Sequence, residues 1–399
     1  MSKKPLEGIR VLDLTQFLSG PMCTMTLGDA GAEVVKVERP PKGDPTRITF
    51  PVHHGNSSYW ISVNKGKKSV ALDLKRPDHK AVFMELAKQT DVLVENYKPG
   101  TAKKMGIDYE SIRAINPDII YLSISGFGQT GPYRDRPALD IAVQAISGLM
   151  SITGEIGGSP LRCGTSITDI TAGLFGIIGV LTALYHREKT GEGQYIDVAM
   201  LEGALAIMEN ACANYLVNGI VPKPTGNYHT SSAPLQPFDT ADGSILVAAP
   251  ADMMFEKLTQ VLGCPELVQD PRFDINAHRF QHVPELEEKL SPYFKKMTTR
   301  EACELLEDAK IVYGEINTVP QILASEQVKE RGVIVDVEDG YETFQVIGSP
   351  FKYSTFEMPK HYHAAALGEN NYDVLESWLN MSKEEIDAIM EGMELKHDE

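Results

Sequence analysis

The stretch Gly8-Ile9-Arg10-Val11-Leu12-Asp13-Leu14 decides the fold. Its aliphatic and β-branched residues make a short apolar run, the pattern of a strand buried on both faces. Pro21–Ala30 then reads as a helix and Glu33–Val37 as a second strand. Strand, helix and strand at this spacing form a βαβ unit with parallel strands and a right-handed crossover. The alternation continues with strands at Ser69–Leu74, Asp91–Glu95, Ile119–Ser125 and Tyr195–Ala199. Between and after them lie helices at Asp78–Gln89, Tyr109–Ile115, Ala138–Gly148, Asp169–His186 and Leu201–Val217. The sequence thus predicts an α/β chain whose large domain, residues 1–222, is a doubly wound parallel sheet.

Near Val221 the texture changes. Pro222-Lys223-Pro224-Thr225-Gly226-Asn227 is a cluster of chain breakers. Beyond it, a strand at Ser244–Ala249 and shorter, more charged helices at Met253–Leu262, Val283–Lys296 and Thr299–Ala309 predict a smaller α+β domain over residues 223–325. The last helix, Lys383–Gly392, is preceded by Ser382 with Glu385 three residues on, a capping box.

Composition narrows the function. A net charge of −17 argues against nucleic acid and anionic membrane as partners. The charge is uneven: residues 1–104 carry 17 Lys/Arg against 11 Asp/Glu, the rest 21 against 44. Such a basic surplus suits a polyanionic small molecule held by the first quarter of the chain. Met1-Ser2-Lys3-Lys4 is followed by an amphipathic strand, not by the apolar core of a signal peptide. The five scattered cysteines include no CxxC pair, which fits free thiols in a reducing cytoplasm and no zinc site. Ile170–Tyr185 contains sixteen uncharged residues, fewer than the roughly 20 that a bilayer span needs. Its Gly173, Gly176 and Gly179 suit close packing, so a buried core helix is expected.

Asp169 heads that apolar segment. One reading makes it the helix N-cap, its oxygen accepting the first free N–H groups. The other makes it a carboxylate held ionised by the positive end of the helix dipole and used as a covalent nucleophile. The two are compatible. Other motifs are weaker. Gly126-Phe127-Gly128-Gln129-Thr130-Gly131 is a literal GxGxxG after a strand, but the charged, proline-bracketed stretch behind it is a poor helix start, so no NAD site is expected. His361-x-His363 and His53-His54 have no third ligand nearby and read as surface pairs on coil; no metal is expected. Gly-x-Ser-x-Gly does not occur, so a hydrolase elbow is not supported.

Seven blocks together resemble class III CoA-transferases of the formyl-CoA/carnitine type. They are Leu6–Asp13, Gly31–Arg39, Val94–Gly100, Ser125–Pro132, the Asp169 segment, Lys189–Gln194 and Leu367–Asn370. The resemblance implies that residues 326–399 return to the large domain and that two chains interlace as a homodimer. It implies coenzyme A, carried by an acyl-CoA, and a carboxylic acid as substrates. Asp169 aligns with the aspartate that forms first an acyl anhydride and then an aspartyl-CoA thioester. Arg39, the segment Leu72, Asp73, Leu74 and Lys75, and Asn96, Tyr97, Lys98 and Lys104 match positions that hold CoA. Lys104 stands where an arginine is common and loses the bidentate fork. Leu18, next to Ser19, replaces a glutamine near the thioester, Pro137 replaces a CoA-binding lysine, and Asp140 stands for a glutamate. These departures count against oxalate and formate as the acids. Backbone N–H groups at 170–172 and near Gly226 are the expected oxyanion donors. The alternatives are an α-methylacyl-CoA racemase and a non-catalytic CoA-binding protein. In the related racemases a histidine precedes the Asp140 position; here it is Leu139, which moves no proton.

Overall fold

The computed structural model describes residues 4–53 and 56–392; His54 and Met1–Lys3 lie outside the described residues. The chain divides into two compact units, one of residues 1–149, 162–220 and 329–399, the other of residues 150–161 and 221–328.

The first unit is built on six strands: β1 (Arg10–Asp13), β2 (Glu33–Glu38), β3 (Lys68–Ala71), β4 (Val92–Glu95), β5 (Ile120–Ser125) and β6 (Gln194–Ala199). Their spatial order is β3-β2-β1-β4-β5-β6 and every neighbouring pair is parallel. This is the doubly wound α/β arrangement. The winding reverses between β1 and β4, so the loops leaving their carboxyl ends diverge and open a crevice there. Leu12, Val35, Val70 and Leu93 pack one face, against Phe83 and Leu86. Val11, Val34, Val92, Ile120 and Leu122 pack the other, against Cys23, Leu27 and Val180.

Three helices matter for the crevice: α1 (Ser19–Asp29), α2 (Asp140–Ile146) and α3 (Ile167–Thr190). The close packing expected of the glycines is present. A Cβ at Gly173 would sit 2.7 Å from the Ser19 carbonyl oxygen, and one at Gly176 would meet Leu122 at 3.1 Å. The helix differs from expectation in two ways. At 24 residues it is long and apolar enough to cross a bilayer. It is also buried on one side only: Ala172, Gly176, Val180 and Ala183 face inward, while Leu174, Phe175, Ile178, Leu181 and Tyr185 are exposed. An apolar sequence all round the helix conceals which face is covered.

The predicted Leu201–Val217 helix is broken at Met208 into Met200–Ile207 and Glu209–Asn218. His361–His363 is a strand and not coil: it pairs with Asp336–Glu338, and its rings face Asp336 and Glu369. Residues 329–399 lie in the first unit. Asn370 and Asn371 there accept the N–H groups of Ser69 and Ala71 through their side chains, at 2.9 and 2.8 Å, covering the edge of β3. The final helix carries its capping box, with Ser382 N–H donating to Glu385 at 2.7 Å.

The second unit has a three-stranded antiparallel sheet, β7 (Leu235–Asp239), β8 (Ser244–Ala248) and β9 (Val312–Glu315), in the order β9-β8-β7. Phe238, Phe255, Leu258, Phe273 and Phe294 fill its core. Residues 150–161 belong here, not to the large domain in which the sequence placed them. The reason is a hydrogen bond remote in sequence, from Gly226 N–H to the Gly154 carbonyl at 3.0 Å.

Beneath the crevice lies a buried charge cluster. Asp13 ends β1 fully buried, 2.9 Å from Lys67, with Lys36 at 3.9 Å; Lys36 also reaches Asp44 at 3.1 Å. Burial disfavours the Asp13 carboxylate, but the two ammonium groups and hydroxyls of Thr15 and Thr24 outweigh it, leaving its pKa well below the usual range. Removing one partner leaves a buried charge uncompensated, at a cost of about 3–5 kcal/mol. Lys36→Met is therefore expected to lower unfolding stability by about 3 kcal/mol or more; urea denaturation followed by circular dichroism measures it.

Candidate active site

The crevice wall starts where β1 stops. Asp13 accepts the Thr15 N–H at 2.8 Å and its hydroxyl at 2.5 Å, and Lys36 donates to the Thr15 carbonyl at 2.5 Å. The chain turns, and Phe17 adopts φ +63°, a left-handed conformation rare for a bulky residue. Asn96, from the loop after β4, clamps this turn: it accepts Gln16 N–H at 2.8 Å and donates to the Gln16 carbonyl at 2.7 Å. Phe17 and Ser19 consequently line the crevice. Leu18 is the N-cap residue of α1 and lines neither cleft described below, contrary to its predicted place beside the thioester.

Asp169 is not a cap. The helix begins at Ile167 after Ser166, which makes no side-chain cap bond. The capping falls instead to Asp140, the first residue of α2, whose Oδ1 accepts the Thr168 N–H at 2.9 Å and its hydroxyl at 2.8 Å. Its Oδ2 accepts from Gln144 at 2.6 Å. Asp169, one residue further on, is left to face the cleft, hydrogen-bonded by Ser19. Nor do its surroundings favour the ionised form. Burial, and then the charge of Asp140, push its carboxyl from 3.8 up to about 7, with Ser19 pulling the other way. The Tyr59 hydroxyl, on the same wall, is pushed up to about 12 by burial and by Asp169.

Two clefts meet here. One, of about 200 Å³, is lined by Arg39, Leu72, Asp73, Leu74, Lys75 and Tyr97. The other, of about 580 Å³, is lined by Ser19, Asn96, Tyr97, Lys98, Asp140 and Asp169 among others. Gln16 and Tyr97 line both, so the two run into each other. The structure thus gathers eleven of the thirteen predicted site residues into one channel and leaves out Leu18 and Lys104. Lys104 is exposed on the Thr101–Met105 helix, whose Met105 faces the smaller cleft instead. Two of the gathered residues are already engaged. Asn96 is committed to Gln16, and Asp73 holds Arg39 at 3.3 Å and the Lys75 N–H at 3.1 Å.

Two expectations need correction. The N–H of Ile170 bonds the Ser166 carbonyl at 3.0 Å, because the helix starts early. That of Gly226 bonds Gly154, so neither is free for an oxyanion. The basic surplus of the first quarter stays outside the core: Lys36, Lys65 and Lys67 are buried, but so are Asp13, Asp29, Glu38, Asp44 and Glu95. Lys98 of that quarter lines the larger cleft, as do Arg134, Arg136 and Arg162 from beyond it. These arginines, with Tyr59, escaped the sequence analysis. The arginines lie in loops, where no periodicity marks which side chains converge; Arg134 and Arg136 flank the turn before Asp140, the one available hint.

A doubly wound sheet with a two-part channel at its switch point has the form of an α/β enzyme that holds a small-molecule ligand there, and comparison with known proteins makes the class specific. Residues 6–371 match the model of CoA-transferase family III, and the chain belongs to that family. It is 39% identical to the succinyl-CoA:glutarate CoA-transferase of Homo sapiens, over 97% of this chain and 89% of that one. It is 37% identical to the acetyl-CoA:oxalate CoA-transferase of Acetobacter aceti, over 90% and 91%. The crystal structure of a CAIB/BAIF family protein from Brucella suis superposes with a TM-score of 0.86 at 34% identity, over 94% of this chain and all of that one. The protein is an acyl-CoA:carboxylate CoA-transferase, with CoA thioesters and carboxylic acids as its substrates.

The raised Asp169 pKa has a consequence for stability. A carboxyl that ionises at 3.8 unfolded and near 7 folded opposes folding once charged, fully above about 7 and not at all below about 4. Asp169→Asn is expected to raise the melting temperature at about pH 8, with the gain gone by about pH 4. Calorimetry across that range measures it.

Proposed function

We propose that Asp169 is the covalent nucleophile of CoA transfer and that the channel holds the CoA moiety. Its supporting observation is the placement of a half-buried carboxylate, not used as a cap of its own helix, in the larger cleft, into which the smaller one opens at Gln16 and Tyr97. The adenine end of CoA fits the cleft of Arg39, Leu72–Lys75 and Tyr97, and the pantetheine passes Gln16 and Tyr97 toward Asp169. An Asp169 oxygen attacks the thioester carbonyl, and collapse of the tetrahedral adduct expels CoA thiolate and leaves an acyl-aspartyl anhydride. The thiolate attacks the aspartyl carbonyl, releasing the donor carboxylate and forming aspartyl-CoA. The acceptor carboxylate attacks that thioester, forming a second mixed anhydride and expelling CoA thiolate, which attacks the acceptor's carbonyl to give the new acyl-CoA and release the Asp169 carboxylate. Every step exchanges anionic oxygen for anionic sulfur, so no base is needed. The exposed aliphatic Leu139 in the racemase base position agrees with that. Both relatives named above act on a dicarboxylic acid, and we assign that class of acid to this chain.

In a mixture with succinyl-CoA, mass spectrometry is expected to find CoA on the peptide containing Asp169. Asp169→Asn is expected to lose the adduct and at least roughly a thousandfold in transfer, while keeping its affinity for free CoA. Transfer at the native rate by Asp169→Asn sinks the nucleophile role.

The working form is assigned as a homodimer. Supporting this, Glu209–Asn218 has no buried residue although Tyr215, Leu216 and Val217 are apolar and exposed, as is the outer face of α3. Contiguous apolar surface of this kind marks an association site. Light scattering is expected to give twice the chain mass at micromolar concentration, and a stable monomer there refutes the assignment.

A further inference from the structure

The geometry points to Arg136 and Arg162 as the residues that read the second carboxylate of a dicarboxylic substrate. The inference rests on the transferase reading above and concerns the far end of the acid. Both side chains line the cleft that holds Asp169, and neither lines the smaller cleft assigned to adenine. A dicarboxylate attacked at one end by Asp169 carries its other charge a few bonds away, inside the same cleft. Leaving that charge without a cationic partner in a partly dry site is costly.

Both arginines are uncommitted and held. Neither has a carboxylate partner among the described residues. Arg136 lies flat over the Tyr133 ring at 3.6 Å, and Tyr133 meets Phe127 edge-on. This stacking fixes the plane of the guanidinium and leaves its edge N–H groups outward, the fork that grips a carboxylate. Arg162 donates only to the Cys163 carbonyl, at 3.3 Å. Its backbone is tied to the catalytic helix through the fully buried Gln144. That side chain accepts the Cys163 N–H at 2.8 Å and donates to Thr165 O at 3.3 Å and to Asp140 at 2.6 Å. Asp140 in turn caps the helix of Asp169. One hydrogen-bonded chain therefore fixes both the nucleophile and the strap that carries Arg162. Arg134 is the weaker candidate, because Asp135 holds it at 3.3 Å.

The alternative duty for these cations is the CoA diphosphate, and the test separates the two. Full-length native protein, Arg136→Gln, Arg162→Gln and the double variant are assayed with succinyl-CoA as donor. The paired acceptors are glutarate and pentanoate, alike in length but lacking the second carboxylate in pentanoate. Calorimetry measures the affinity for free CoA. The native protein is expected to prefer glutarate in kcat/KM by about 100-fold or more, and the double variant to lose about 10- to 100-fold of that ratio, the worth of charge-assisted hydrogen bonds to the acid. The affinity for CoA stays within about twofold, because neither arginine is assigned to the cofactor. Arg162→Lys keeps the charge without the fork and is expected to fall between native and Arg162→Gln. An unchanged ratio with weakened CoA binding overturns the inference and gives the arginines to the diphosphate. Equal use of the two acids by the native protein overturns it as well. Absence of transfer to either acid by the native protein brings down the assignment of a dicarboxylic acceptor on which the inference rests, a failure visible before any variant is made.

Discussion

The buried Asp13 carboxylate is the constraint on which the site depends. It sits at the carboxyl end of β1, the strand at the switch point, and is neutralised there by Lys36 and Lys67. Through Thr15 it forces the chain to turn, through Thr24 it ties α1, and Lys67 adds a bond to the Pro21 carbonyl at 2.9 Å. The turn places Phe17 and Ser19 on the cleft wall, and Ser19 hydrogen-bonds Asp169. A hydrophobic group in place of Asp13 could pack as well and leave the loop undirected. A buried ion pair seldom adds stability over an apolar replacement. What the cluster contributes here is direction: a defined turn in which a bulky residue accepts a left-handed backbone.

From Asp13 the order passes across the switch point. Asn96 binds both backbone groups of Gln16, so the loops after β1 and β4 move as one. On the far side Asp140 caps the Asp169 helix from a neighbouring helix. A cap supplied by Asp169 itself would have turned its carboxylate back onto the helix amides. Supplying it from Asp140 satisfies those amides and frees Asp169 for the cleft. The cost is a second negative charge close to the first, one reason the Asp169 carboxyl sits high.

Much of this was legible in the sequence. Apolar runs mark the four inner strands of the large sheet, β1, β2, β4 and β5, because strands buried on both faces leave no other pattern. The site residues were legible as blocks, and most of them do meet. What failed were details set by tertiary contacts. The start of α3 was misplaced because Asp169 is a good local cap and nothing nearby announces that Asp140 will take the role. The unit boundary at 150–161 rests on a hydrogen bond between residues more than seventy positions apart. Arg136 and Arg162 sit in loops without period, so only the folded chain shows them beside Asp169.

The chemistry reconciles two effects at Asp169 that pull apart. A helix N-terminus favours an anion by at most about 2 kcal/mol. One pKa unit corresponds to about 1.4 kcal/mol, so the dipole accounts for little more than a unit. Burial and Asp140 raise the carboxyl from 3.8 to about 7, and they win. That outcome suits exchange between oxygen and sulfur. When a carboxylate attacks a thioester, the adduct partitions by which group leaves more readily, and the weaker base leaves first. An ordinary carboxylate near 4 departs far faster than a thiolate near 8.5, returning the adduct to substrate. A carboxylate near 7 narrows that gap, so a larger share of adducts goes forward to the anhydride. In the reaction proposed for Asp169, the surroundings that make it costly to ionise therefore also make it a closer match for a thiolate.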